Sequence, residues 1–326
     1  MQKIIPERLK SGDKVMVIAP ARGIKIIGQD CRYIAHERLG RLGLEVVFAP
    51  NTTDENWDYM GSTSIEKRVA DIHTAFADKS VKAILTMIGG FNSNQLIPHL
   101  DYDLIKNNPK IFCGFSDITA LHGAIYAKTG LETYYGPHFS SLGMKHGCDY
   151  TYDHFIKMLI NGEQDEIKPS VVWSDDLWFL DQDKRDFEVN EGYWQIHNGN
   201  ATGTIIGGNL GTFNLLLGTP YRPQFRENTI LFIEDTESCS LPEFERNLQA
   251  LIYQPDFDNV KGVVIGRFQK GSKVTREGLE YIINTKEKLK DLPVLANVDF
   301  GHTAPLLTIP LGGTATLTDN KLTLDI

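Results

Sequence analysis

The chain has no Cys-x-x-Cys pair; its four cysteines, Cys31, Cys113, Cys148 and Cys239, are scattered over 326 residues. That excludes a disulfide frame or a zinc site and fits the reduced thiols of a cytosolic protein. Long apolar stretches are missing too. Runs such as Val15 to Ala19, Ile230 to Ile233 and Val263 to Ile265 fall far short of the ~20 residues a membrane span needs. The start, Met1-Gln2-Lys3-Ile4-Ile5-Pro6-Glu7, lacks the apolar core of a signal peptide, so the expected location is the cytoplasm. Positive charge is in deficit, with 33 Lys plus Arg against 42 Asp plus Glu and a net charge of −9. That balance argues against nucleic acid or an anionic membrane as the partner. Neither internal repeats nor low-complexity tracts occur. What is present is an ordinary globular composition, 41% hydrophobic and 23% charged, in a chain long enough for two domains.

The first half alternates strand and helix patterns. Lys14 to Ala19, Leu44 to Phe48, Val81 to Ile88 and Ile111 to Cys113 read as buried strands. Between them, Gly28 to Leu42 and Ser64 to Ala77 read as amphipathic helices, the second with Ser64 as its N-cap. A further helix over Ile118 to Lys128 ends at Gly130. Such alternation predicts a parallel sheet covered on both faces. From about Asp165 to Gly203 the pattern dissolves into a segment holding Trp173, Trp178 and Trp194 among many aspartates. A second α/β unit follows. Its expected strands are Thr204 to Ile206, Thr229 to Ile233, Val263 to Ile265 and Val294 to Val298, and its helices lie near Leu210 to Leu217, Glu243 to Tyr253 and Arg276 to Leu289. The tail predicts strands over Leu306 to Ile309, Thr314 to Leu317 and Leu322 to Ile326.

Three side chains stand at strand ends, where open α/β sheets gather their ligands. Ser116 sits on a tight turn between strand and helix, so the free N–H groups of the new helix lie beside it, as in a nucleophile elbow. The match to Gly-x-Ser-x-Gly fails at its last position, which is Ile118, and a serine here can equally cap the helix. Glu234 ends the apolar strand Thr229 to Ile233, with Asp235 and Glu237 as rival carboxylates. His302 lies in a glycine-flanked turn after Val294 to Val298. Hydroxyl, imidazole and carboxylate together are the parts of a nucleophilic triad. By contrast, Gly207-Gly208-Asn209-Leu210-Gly211 lacks dinucleotide-loop spacing and reads as packing. His138, His146 and His154 recur every eight residues, a spacing that suits no metal, and none is assigned.

The run Ile111-Phe112-Cys113-Gly114-Phe115-Ser116-Asp117-Ile118-Thr119-Ala120-Leu121 resembles the LD-carboxypeptidase family, as do Gly89-Gly90, the strand Ile230 to Asp235 and the turn Phe300-Gly301-His302. The family includes muropeptide LD-carboxypeptidases and microcin C immunity (MccF-like) peptidases. The resemblance implies a Rossmann-like N-terminal parallel-sheet domain over residues 1–165 and an inter-domain crossover over 166–202. An α/β C-terminal domain with its own mostly β core would then occupy 203–326. It places a Ser–His–Glu triad on Ser116, His302 and Glu234, with the backbone N–H groups of Gly90 and Asp117 as oxyanion donors. No metal or cofactor is implied, and family members are cytoplasmic homodimers. Ile88, where muropeptide enzymes often carry Arg, and the segment around Trp173 look closer to the MccF-like branch. In that branch an aromatic loop residue stacks on adenine, a place open to Trp173 or Trp178. The implied activity is a serine peptidase acting on small peptide or aminoacyl-nucleotide conjugates such as processed microcin C. Alternatives are a muramoyltetrapeptide LD-carboxypeptidase releasing D-Ala, and a protein that binds a small ligand without turnover.

Overall fold

The computed structural model describes residues 2–54, 56–163 and 165–325. Two large sheets dominate it. The first runs in the order Ile309–Leu311, Thr133–Tyr135, Ile111–Gly114, Val81–Thr86, Lys14–Ile18, Glu45–Phe48. Its strands pair in parallel except the first, which joins Thr133–Tyr135 antiparallel. Unbroken apolar runs such as Ile111-Phe112-Cys113 suit it, because helices cover both faces and leave no wet side. The helix Ile65–Ala77 starts where Ser64 Oγ accepts from Lys67 N and buries Val69, Ile72 and Phe76 against the sheet. Full burial of a side chain such as Phe76 contributes roughly 2–3 kcal/mol. The helix Thr119–Thr129 stops at Gly130, whose φ of +77° suits a glycine.

The second sheet runs Asp165–Ile167, Lys321–Asp325, Thr314–Thr318, Asn200–Asn209, Thr229–Glu234, Val260–Gly266, Val294–Val298, Trp194–His197. Its four central strands from Asn200–Asn209 to Val294–Val298 are parallel, and both flanks are antiparallel. The helices Leu210–Asn214, Leu241–Ile252 and Arg276–Asn284 accompany it. The first and third are shorter than the sequence suggests, because the expected stretch breaks into turns after Asn214 and after Asn284. Ile326, expected to end the last strand, lies outside the described residues.

The stretch without a legible pattern holds short strands. Trp194–His197 forms the edge of the second sheet, and Val172–Trp173 pairs with Glu188–Val189. The tail strand lies at Ile309–Leu311 and joins the first sheet, not the second. One buried cluster runs from Val15 and Leu85 of the first sheet to Phe232 and Leu295 of the second. The two sheets therefore share a core, and the carboxyl ends of Ile111–Gly114, Thr229–Glu234 and Val294–Val298 meet beside it.

Candidate active site

Ser116 is the first residue after the strand Ile111–Gly114 and Phe115, and it opens the short helix Ser116–Ile118 that leads into Thr119–Thr129. Its φ is +62°, a left-handed conformation that L side chains rarely adopt and that costs about 1–3 kcal/mol. The turn is held from several sides. Ser116 N donates to Tyr135 Oη at 3.3 Å, and His122 Nε2 bonds Gly114 O at 2.9 Å. Asp117 is buried and turned away from the cavity. Its carboxylate accepts from Ser93 N at 2.9 Å, while Ser93 Oγ donates to its carbonyl at 2.7 Å. These bonds pin the Gly89–Ser93 loop against the Ser116 turn. A carbon added at Gly89 would lie 3.1 Å from Ser116 Oγ, so only glycine lets this loop pass so close. Gly90 follows in that loop, packed on Ala21 and Arg22.

Glu234 is fully buried at the end of its strand. Its Oε1 accepts from Tyr135 Oη at 2.6 Å and from Asn209 Nδ2 at 3.1 Å. Its Oε2 lies 2.7 Å from His302 Nδ1, and His302 Nε2 lies 2.9 Å from Ser116 Oγ. The three residues singled out in the sequence thus form one unbroken hydrogen-bonded chain. Gly301, at φ +108°, makes room for it, since a side-chain carbon there would fall 2.5 Å from Glu234 Oε2. The turn before His302 is anchored by a buried ion pair, Arg267 Nη1 to Asp299 Oδ1 at 2.6 Å, which also binds Ser170 N and Oγ.

Asp235 does not reach the histidine. It accepts from Asn209 Nδ2, Gly211 N and Thr236 N, and so secures the start of the helix Leu210–Asn214. Gly207 and Gly208, at φ +141° and +128°, serve packing: a carbon at Gly208 would meet Thr119 Oγ1 at 2.6 Å, and Thr119 Oγ1 accepts from Asn209 N at 2.9 Å.

The electrostatics follow the geometry. Burial works against an imidazolium at His302, but the charge and hydrogen bond of Glu234, with Asp235 and Glu237 behind, outweigh it and hold His302 above its ordinary value. Burial pushes the Glu234 carboxyl up, yet His302, Tyr135 and Asn209 together hold it below the usual range. The Tyr135 phenol is driven far up by burial and by Glu234, so it stays a donor. His138 is buried; burial and then the charge of His302 push it well down, which keeps it neutral. Its Nδ1 pairs with Thr86 Oγ1 at 2.7 Å, and its ring lies 4.3 Å from that of Phe115.

Ser116, His302 and His138 line one cavity of about 260 Å³, and residues 174–179 form part of its wall. Trp178 lines this cavity with Phe179. Trp173 does not; its ring lies between Arg267 and Lys270, at 5.2 and 5.4 Å. Among the described residues no group of three or more His, Cys, Asp or Glu is placed to hold a metal ion. Likewise, no helix is long and apolar enough to cross a membrane.

Tyr135, Asn209, Thr86 and His138 were not singled out as partners in the sequence. For Tyr135 a signal existed in Thr133-Tyr134-Tyr135-Gly136, a short β-prone run closed by glycine. For Asn209 it was the polar residue that ends a Gly-Gly strand and caps the next helix.

An acid, an imidazole and a hydroxyl in this order, beside a helix amino end, make a device for acyl transfer. The chain belongs to the LD-carboxypeptidase family, whose N-terminal domain model matches residues 15–136 and whose C-terminal domain model matches residues 202–317. It is therefore a hydrolase of the carboxypeptidase class. It is 50% identical to the putative carboxypeptidase YocD of Bacillus subtilis, over 94% of each chain. Its fold matches the crystal structure of an MccF-like protein from Bacillus anthracis with a TM-score of 0.95 at 48% identity, covering 99% of both chains. It also matches MccF in complex with glutamyl sulfamoyl guanosine, with a TM-score of 0.87 at 31% identity over 98% of both.

Proposed function

We propose that this protein is a serine peptidase that hydrolyses an amide bond in small peptide or aminoacyl-nucleotide conjugates. The observation that carries the proposal is the continuous chain from Glu234 through His302 to Ser116, opening on a cavity of about 260 Å³. His302 Nε2 takes the Ser116 proton as Oγ attacks the carbonyl carbon, and the electron pair of the C=O moves onto oxygen. Backbone N–H groups of Gly90 and Asp117 stabilise that oxyanion. Glu234 keeps the second imidazole proton on Nδ1 and balances the imidazolium. His302 then gives its proton to the leaving nitrogen, the C–N bond breaks, and water repeats the cycle to free the acyl group and Ser116. Trp178 is the aromatic residue proposed to face the nucleoside part, supported by its place in the cavity wall.

The MccF complex with an aminoacyl sulfamoyl nucleoside supports the nucleotide-conjugate class. The proposal divides the chain into residues 1–165, 166–202 and 203–326, with Ile309–Leu311 of the last part crossing into the first sheet and Trp194–His197 of the middle part edging the second. The protein is further proposed to be a cytoplasmic homodimer. Four buried, unpaired cysteines support a reducing compartment, and exposed Val171, Phe179, Leu180 and Val189 offer apolar surface to a second copy. Mass spectrometry of products tests the function, with glutamyl sulfamoyl adenosine and a murein tetrapeptide as parallel substrates. Cleavage of the first at the acyl bond is expected. Preferential release of D-Ala from the second would move the assignment to murein recycling, and turnover of neither would count against both.

A further inference from the structure

A carboxypeptidase has to recognise a free anionic end beside the bond it cuts, and this cavity offers one full cation for the purpose. Among the residues lining it, Arg22 is the sole Lys or Arg. Its position is built in. Arg22 N and Nε both donate to Gly89 O, at 3.4 and 3.2 Å, and the guanidinium lies 5.7 Å from the centre of the Phe91 ring. Gly89 is the residue that passes beside Ser116 Oγ, so the guanidinium is tied to the loop that touches the candidate nucleophile. Among the described residues no acceptor is paired with Nη1 or Nη2. A half-buried guanidinium that has lost part of its hydration and keeps two parallel donors unmatched is a receptor for a planar or tetrahedral oxyanion.

We propose that Arg22 binds, through Nη1 and Nη2, the anionic group that the substrate carries on the leaving side of the scissile amide, and so selects substrates by that charge. The proposal rests on the hydrolase function given above and names its substrate class. The two substrate types share this chemistry. A terminal D-alanine bears its carboxylate carbon two bonds from the leaving nitrogen, and an acyl phosphoramidate or acyl sulfamate bears its oxygens on the atom bonded to that nitrogen. One fixed cation can serve either.

The test compares paired substrates with and without that anionic group. One pair is a murein tetrapeptide ending in D-alanine against the same peptide ending in D-alaninamide. The other is aspartyl sulfamoyl adenosine against an aspartyl amide of 5′-amino-5′-deoxyadenosine. In the wild type, kcat/KM should favour the anionic member of the pair it cleaves by roughly 10²-fold, the worth of a charge-assisted two-pronged contact. In Arg22→Gln that preference should shrink by about the same 10²-fold, mainly through KM. Arg22→Lys, which keeps the charge without the fork, should retain part of it. Calorimetry on Ser116→Ala and on Ser116→Ala/Arg22→Gln measures the same preference as binding. If the wild type cleaves nothing but Ser116→Ala binds the anionic member in an Arg22-dependent way, the hydrolase assignment falls and the anion site stands. If Arg22→Gln leaves the preference unchanged, or lowers both members of a pair equally, the proposal is overturned and Arg22 only braces Gly89.

Discussion

Replacing Glu234 with Gln changes one atom and should disable the site. Both carboxylate oxygens accept: Oε2 faces His302 Nδ1, and Oε1 faces Tyr135 Oη and Asn209 Nδ2. An amide NH₂ set toward His302 confronts a donor, and set the other way it confronts two. Relief on the His302 side needs the other imidazole tautomer, whose protonated Nε2 cannot accept the Ser116 proton. The imidazolium formed in the proposed transition state also loses its counter-charge, the fully buried Glu234 carboxylate. A charge-assisted hydrogen bond contributes about 1.5–3 kcal/mol, and the lost charge adds a similar amount, so about 4 kcal/mol of transition-state stabilisation disappears. At about 1.4 kcal/mol per decade that is roughly a 10³-fold fall in kcat. The pH profile gives a second readout. The proposed mechanism needs neutral His302, so kcat/KM should rise with pH through the pKa of that residue, which Glu234 holds above its ordinary value. Without that charge, burial dominates and the acid limb moves to lower pH. Stopped-time assays across pH 5 to 9, with circular dichroism to verify the fold, measure both effects. An acid limb that stays in place, or kcat within threefold of wild type, would refute the coupling.

Three other substitutions follow from the same geometry. Tyr135→Phe removes one donor from Glu234 and the acceptor of Ser116 N–H; it should lower stability by about 2 kcal/mol and kcat by about tenfold, read by urea denaturation and steady-state kinetics. Asp235→Asn should leave kcat within about threefold, since Asp235 braces a helix start and does not touch His302; a loss as large as that of Glu234→Gln would mean the wrong carboxylate was chosen. His122, buried and pushed down to about 4, stays neutral in the fold while an unfolded chain takes up its proton from ~6.5 downward. Stability should therefore fall as pH drops from about 6.5 to 4, by roughly 3 kcal/mol from this residue, and His122→Gln should flatten that slope in denaturation measured at several pH values.

The candidate triad was legible through the family resemblance, and position agreed with it: each member follows a strand pattern, Ile111-Phe112-Cys113 before Ser116, Ile230 to Ile233 before Glu234, and Val294 to Val298 before His302. Strand ends in parallel sheets fix where side chains emerge, so position alone carried information. The choice of Glu234 over Asp235 and Glu237 was beyond local pattern, because it depends on the alternation of adjacent residues at the end of Thr229–Glu234. The partners of Glu234 were hidden for a related reason. Tyr135 arrives from a three-residue strand and Asn209 from the neighbouring parallel one, 99 and 25 residues away. The sixth strand of the first sheet, Ile309–Leu311, contains a proline and comes from the far end of the chain, so no local period announces its partner. The segment 165–199 builds its strands from two to four residues each, too short to show alternation. Its tryptophans could not be ranked without knowing that Arg267 and Lys270 flank Trp173.

The proposed chemistry rests on a single oxygen, Ser116 Oγ, becoming a nucleophile when His302 takes its proton. Turnover of Ser116→Ala is the direct measurement. With circular dichroism and melting behaviour unchanged, the loss should be roughly 10³-fold or more. A folded Ser116→Ala protein that cleaves its substrate at near wild-type speed would contradict the account.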